Sequence, residues 1–227
     1  MSNQLAARII GILILISTSS YMVADDVFVT PILSATNYLE LAYLNKNSTL
    51  ATAVSLFFIN SVAIIAAAIV LFPLVKQVSE RSALTYLTCR VVEGILLLLA
   101  AAALLSIANL GKEMMEASST NSEWLNSMAM VARRERYTLF QFAMLALALG
   151  SIVLNLTFYR YKMIPKVLSA LGVIGYTFLL VKMVGDLFAV NLGGGYLYVP
   201  GALFELLLPF WLLFKGIQLP SNAQSTN

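Results

Sequence analysis

Six long apolar stretches constrain how this chain folds more than any other feature of its sequence. About 20 consecutive apolar residues cross the roughly 30 Å hydrocarbon core of a bilayer as one helix. Backbone N–H and C=O groups find no water there, so each span must satisfy them internally, as a helix does. The sequence therefore predicts an all-α polytopic membrane protein, with six transmembrane helices in one bundle and residues 1–227 as a single domain. The stretches cover about residues 7–25, 50–75, 83–108, 137–159, 166–188 and 197–217.

The composition excludes most soluble functions. Apolar residues make up 60% of the chain and charged residues 11%, whereas soluble domains carry roughly 45–50% and about 25%. The net charge of +3 is not accompanied by a Lys/Arg stripe, so we expect no nucleic-acid partner. Histidine is absent and Cys89 is the one cysteine, which leaves no ligand set for zinc. We expect no cofactor, no metal site and no enzymatic activity.

Lys and Arg residues in the short loops predict the orientation of the spans. With the N-terminus in the cytoplasm, that side holds seven basic residues and the other side holds five. The turn over residues 160–166 carries three basic residues and no acidic one, which favours this orientation. We therefore expect a multi-pass protein of the cytoplasmic membrane with both termini in the cytoplasm. The first stretch has an alternative as a cleaved signal peptide, although Met22, Val23 and Ala24 make a poor cleavage site.

Two segments between spans are expected to lie at the membrane surface. Segment 26–48 combines Pro31 and a polar run with apolar residues. Segment 109–136 contains a capping-box pattern over residues 120–123, which predicts the start of an amphipathic helix. That helix is a structural lid in one interpretation and a binding element in the other. Its apolar residues recur at helical spacing: Trp124, Leu125, Met128 and Val131.

Several charged residues fall inside the predicted spans, where a charge costs at least about 2.5 kcal/mol. Spacings of three and four residues place Arg90 with Glu93, and Lys182 with Asp186, on common helix faces. Side chains lean toward the N-terminus of their helix, and this lean predicts Lys182 and Glu205 at one depth. We predict a buried charge network of Arg90, Glu93, Lys182, Asp186 and Glu205. Arg90, Glu93 and Glu205 are expected to face a common interior, with neither acid facing lipid.

The polar residues of the spans have two interpretations. In the first, Glu93 and Glu205 form a proton or ion relay that their basic partners gate. In the second, the charges form buried bridges that fix the order of the helices. Three further residues, Asn60, Gln141 and Asn155, are predicted to donate hydrogen bonds between helices rather than to bind a ligand.

Five pieces of the sequence together resemble a bacterial family of six-helix membrane proteins that is classed as a domain of unknown function. The resemblance covers nearly the whole chain and implies that the pair Arg90 and Glu93, together with Glu205, belongs to a shared pattern. Lys182 and Asp186 stand outside that pattern, and the resemblance supplies no activity. The pieces are Ala7 to Leu13, Leu71-Phe72-Pro73, Arg90-Val91-Val92-Glu93, Pro165 to Gly172, and Pro200 to Glu205 leading into Trp211-Leu212-Leu213-Phe214-Lys215-Gly216.

The sequence leaves two functions open. The first is a small-solute or proton-coupled transporter that uses the buried carboxylates. The alternative is a non-catalytic membrane scaffold or regulatory partner, whose buried charges are structural salt bridges. A mass of 24.7 kDa is small for a transporter, and a homo-oligomer would supply a second half. The expected partners are the lipid bilayer and, for a transporter, a small solute or a proton.

Overall fold

The computed structural model describes residues 2–116, 122–190, 192–193 and 195–220. Within this part of the chain no strand occurs, and six helices are long and apolar enough to cross a membrane. The predictions of an all-α fold and of six spans are confirmed. The six candidate spans are Asn3–Leu33, Lys46–Lys76, Glu80–Glu116, Glu123–Tyr161, Lys166–Leu187 and Gly195–Phe214.

In the described residues, eight α-helices and three shorter helical segments make up these spans and their connections. The α-helices are α1 Asn3–Met22, α2 Thr30–Leu33, α3 Tyr38–Leu44, α4 Ala51–Lys76, α5 Glu80–Glu116, α6 Ser122–Tyr161, α7 Lys166–Leu187 and α8 Val199–Phe214. Two π-helical segments cover Val23–Val29 and Lys46–Leu50, and one 3-10 turn covers Gly195–Tyr198.

Local sequence explains where several helices begin. Pro165 precedes α7 with extended backbone angles, because the proline ring suits a helix start and lacks the N–H that a helix interior needs. Pro200 occupies the first turn of α8 for the same reason. Pro73 and Pro209 lie inside α4 and α8, where each removes one backbone hydrogen bond.

Helices α5 and α6 are much longer than their predicted spans. They contain 37 and 40 residues, or about 55 and 60 Å at 1.5 Å per residue. The described parts of the predicted loop 109–136, residues 109–116 and 122–136, are therefore helical, and the amphipathic part is continuous with the fourth span. Thr120 and Asn121 of the capping-box pattern lie outside the described residues. Once a helix is nucleated, each further residue adds a hydrogen bond, so both helices continue past the apolar stretch.

Segment 26–48 is more ordered than a polar connection would be. It contains the second half of the first π-helical segment, α2 and α3. Leu39 and Ala42 of α3 are buried together with Ile32 and Leu33 of α2. These four apolar residues of the segment thus pack against protein.

The chain divides into two compact units. Unit 1 comprises residues 1–16, 62–94 and 141–227, and unit 2 comprises residues 17–61 and 95–140. Unit 1 has a core of aliphatic and aromatic side chains that includes Leu71, Phe158, Tyr176, Phe204 and Leu212. Unit 2 has its own core, which includes Val29, Leu39, Leu50, Phe57, Leu104 and Ile107.

Candidate functional site

The predicted pair on α5 is an ion pair. One guanidinium nitrogen of Arg90 donates to Glu93 Oε2 over 2.7 Å, and the two side chains are only 12% and 4% exposed. Arg90 Nε donates to the hydroxyl of Tyr86, one turn earlier on the helix, over 3.0 Å. The guanidinium carbon also lies 5.3 Å from the centre of the Tyr86 ring. Arg90 is thus held between a carboxylate and a phenol of its own helix.

Glu205 has a different partner, on another helix. The hydroxyl of Tyr176 on α7 donates to Glu205 Oε1 on α8 over 3.0 Å. Tyr176 is buried, Glu205 is half-buried, and the Tyr176 ring packs edge-on against Phe204 at 5.7 Å. This contact is possible because α7 and α8 approach through glycines. A Cβ added to Gly175 would lie 2.6 Å from the backbone of Gly201.

Arg90 connects the two parts into one site within unit 1. Its charge acts electrostatically on Glu205 and Tyr176 as well as on Glu93, and Glu205 acts on Glu93. The structure therefore brings together the three residues that were predicted to share an interior. We call the set Tyr86, Arg90, Glu93, Tyr176 and Glu205 the carboxylate cluster. It holds two acidic groups and one basic group.

The second predicted pair forms on α7. Lys182 donates to both carboxylate oxygens of Asp186, and these side chains are 13% and 17% exposed. The ammonium nitrogen of Lys182 lies 5.9 Å from the ring centre of Tyr198. The approach of Lys182 to Glu205 stays a prediction, since the ion pair observed for Lys182 is with Asp186.

Sequence reasoning missed the tyrosines of the carboxylate cluster. Tyr86 is four residues before Arg90, so the helix-face argument that paired Arg90 with Glu93 also indicates Tyr86. No spacing in the sequence indicates Tyr176, because its partner Glu205 lies 29 residues away on another helix.

An ion pair in unit 2 was also missed. Arg136 on α6 donates to Asp25 in the first π-helical segment, and the side chains are 16% and 26% exposed. The guanidinium carbon of Arg136 lies 5.9 Å from the ring centre of Phe57. This pair was not predicted, because 111 residues separate the two charges in the sequence.

The three buried amides behave differently from one another. Asn60 takes part in an interhelical bond, but as the acceptor, from the Ser17 hydroxyl over 2.7 Å. Asn155 Nδ2 donates to the Ser151 carbonyl of its own helix over 2.9 Å, so the interhelical bond predicted for it is wrong. Gln141 Nε2 is buried and has no acceptor within hydrogen-bond distance among the described residues. A carboxamide inside a helix reaches the carbonyl four residues earlier more readily than a neighbouring helix.

Residues that could hold a metal ion do not converge in the described part of the chain, where no group of three or more Cys, Asp or Glu side chains is found. The residues of the carboxylate cluster are suited to proton and ion-pair chemistry. Its carboxyl groups can gain or lose protons, its guanidinium supplies a fixed positive charge, and its phenols donate and accept hydrogen bonds.

Comparison with known proteins leads to a family. Neither the curated proteins nor the solved structures include a match to this chain. A family model described as domain of unknown function DUF4386 matches residues 9–216, which confirms the resemblance to a family of this class. Arg90, Glu93 and Glu205 all lie within the matched residues. The chain belongs to the DUF4386 family.

Proposed function

We propose that this protein is a proton-coupled carrier of a small solute in the bacterial inner membrane, with both termini in the cytoplasm. The observation that carries the proposal is the charge of the carboxylate cluster. Two carboxylates and one guanidinium have a net charge of −1 when all three are ionised. A single uncompensated charge at the centre of a span costs at least about 2.5 kcal/mol. One bound proton removes that charge.

The hydrogen bonds favour Glu205 as the residue that carries this proton. Glu93 has the direct ion pair with Arg90, at 2.7 Å, and so keeps its negative charge. Glu205 accepts a hydrogen bond from Tyr176 on Oε1, which leaves Oε2 for the proton. Glu205 then loads and releases the proton, while Arg90 and Glu93 remain paired.

The helix that carries Glu205 has a feature that suits such a cycle. Pro209 follows Glu205 by four residues and has no N–H, so the Glu205 carbonyl lacks its intrahelical hydrogen bond. A helix weakened at this point bends more easily than an unbroken one. Transporters commonly place ion and substrate sites at such interruptions.

The alternative is a membrane scaffold or regulatory partner in which the charges are structural. The ion pair between Arg90 and Glu93 favours this reading, because neighbours on one helix neutralise each other. Such a pair lowers the cost of inserting that helix and needs no transport. A scaffold, however, has no need for the second acid, Glu205.

Proton uptake into proteoliposomes tests the proposal. A potassium diffusion potential, negative inside, drives protons inward, and a trapped pH-sensitive dye reports them. The assay is run alone and with a mixture of amino acids, monocarboxylates and hexoses. We expect uptake by the native protein in at least one condition, and none by Glu205→Gln.

The control is Glu80→Gln, which removes an exposed acid from a surface pair with Lys76 and leaves the carboxylate cluster intact. It should match the native protein. Native uptake no faster than that of empty liposomes in every condition, or full uptake by Glu205→Gln, would contradict the proposal.

A further inference from the structure

Among the described residues of unit 1, Asn155 is the most deeply buried amide, and it is not part of the carboxylate cluster. The residue is 1% exposed. Its Nδ2 is satisfied by the Ser151 carbonyl, whereas its Oδ1 is buried and meets no donor in the part of the chain that the structure describes. Buried polar atoms of native proteins are nearly always hydrogen-bonded, to protein or to water. The oxygen of Asn155 therefore needs a donor other than the described residues, such as a water molecule.

The carboxamide has a defined place against α7. A Cβ added to Gly172 would lie 2.6 Å from Asn155 Cγ and 2.8 Å from Nδ2. Only a residue without a side chain leaves room for the carboxamide there. The group is thus held between α6 and α7, with its oxygen on the α7 side.

This place lies between the carboxylate cluster and one aqueous face. Gly172 and Tyr176 are four residues apart on one face of α7, about 6 Å along the helix. Tyr176 in turn donates to Glu205. In the other direction, α6 ends at Tyr161, six residues or about 9 Å beyond Asn155. The α6–α7 turn, residues 162–165, follows directly.

We propose that Asn155 Oδ1 binds a water molecule that relays protons between Glu205 and the aqueous side at the α6–α7 turn. The water donates one hydrogen bond to Oδ1 and keeps its lone pairs for an incoming proton. The proton that leaves Glu205 is accepted by a lone pair of this water, and the water releases one of its own protons towards the α6–α7 turn. The water is thereby regenerated, and atoms and charge are conserved. Waters in such sites make about three hydrogen bonds to otherwise unsatisfied groups. The inference rests on the proposed function, since it supplies the route for the proton of Glu205.

Infrared spectroscopy of the full-length protein in lipid nanodiscs tests the route. The C=O stretch of protonated Glu205 is the band that Glu205→Gln removes, and its shift after transfer into D2O gives the exchange rate of that proton. The matched variants are Asn155→Ala and Asn155→Ser, which are both smaller than asparagine and so fit against Gly172. Serine retains an oxygen that can hold the water, and alanine does not.

We expect exchange in Asn155→Ala to be about tenfold or more slower than in the native protein, as for loss of a positioned proton-transfer group. Asn155→Ser should exchange close to the native rate. The control is Thr157→Val on the same helix, whose lost hydroxyl donates only to the Val153 carbonyl, over 2.8 Å. It should leave the rate unchanged.

The outcomes separate this inference from the proposed function. A native spectrum without the band shows that Glu205 carries no proton, which overturns the proposed function and the relay with it. If the band is present and the proton of Glu205 exchanges at the same rate in Asn155→Ala and Asn155→Ser, whether fast or slow, the relay is overturned and the proposed function is not. Slow exchange in alanine with near-native exchange in serine supports it.

Discussion

At the scale of single residues, the two acids of the carboxylate cluster are expected to differ in how much stability the protein loses when each is replaced. Glu93→Gln deprives Arg90 of its direct partner. Breaking a buried ion pair outright costs about 3–5 kcal/mol, and Glu205 can supply part of the missing counter-charge. We therefore expect Glu93→Gln to lower the free energy of unfolding by about 2 kcal/mol.

Glu205→Gln is the matched comparison. Glutamine still accepts the hydrogen bond from Tyr176, and the pair of Arg90 with Glu93 remains, so we expect a loss of about 1 kcal/mol or less. Unfolding of both variants in mixed detergent micelles measures the difference. A cost for Glu205→Gln equal to that for Glu93→Gln would show that the two acids are equivalent.

The sequence predicted the ion pairs better than the hydrogen bonds of the site. Arg90 with Glu93, and Lys182 with Asp186, follow from spacing within one helix, which sequence displays directly. The partner of Glu205 does not follow from such spacing, because it lies on another helix and depends on how α7 and α8 cross. Lys182 reaches Asp186 because the two residues are four apart on one helix, while its approach to Glu205 stays a prediction.

At the scale of helices, the crossing of α7 and α8 depends on one glycine more than on the other. A Cβ at Gly175 would lie 2.6 Å from the backbone of Gly201, and backbone cannot move aside as a side chain can. Gly175→Ala should therefore push the helices apart and weaken the bond between Tyr176 and Glu205. Overpacking of this kind costs about 1–3 kcal/mol.

The reciprocal substitution is the control. A Cβ at Gly201 would lie 3.6 Å from the Gly175 carbonyl oxygen, an ordinary van der Waals distance. Gly201→Ala should leave the unfolding free energy unchanged or raise it slightly, because alanine favours a helix by about 1 kcal/mol over glycine. Equal destabilisation by the two alanines, measured in the same micelles, would show that the crossing is not held at Gly175.

Helix ends were harder to predict than helix existence. Apolar length identifies a span because lipid requires one, and all six were found. Outside the lipid a helix no longer has to be apolar, so the end of the apolar stretch does not show where the helix ends. Polar residues such as Lys112 and Glu116 are good helix formers and continue α5.

At the scale of the whole molecule, the orientation is a prediction that paired cysteines test. In a Cys89→Ala background, Lys166→Cys marks the start of α7 and Glu116→Cys marks the end of α5. The topology predicted from the sequence places these two positions on opposite sides of the membrane. Both native side chains are exposed. A membrane-impermeant thiol reagent should label Glu116→Cys in intact cells, and Lys166→Cys only after permeabilisation. The reverse pattern would place both termini outside the cytoplasm.

The central claim is that the carboxylate cluster holds one proton because its charges are unbalanced by one. Infrared absorption of protonated carboxyl groups at neutral pH, in nanodiscs, counts that proton. The account predicts one such group per native chain, none in either Glu93→Gln or Glu205→Gln, and two in Arg90→Gln. A native chain without a protonated carboxyl, or a count that does not follow the number of charges in these variants, would contradict it.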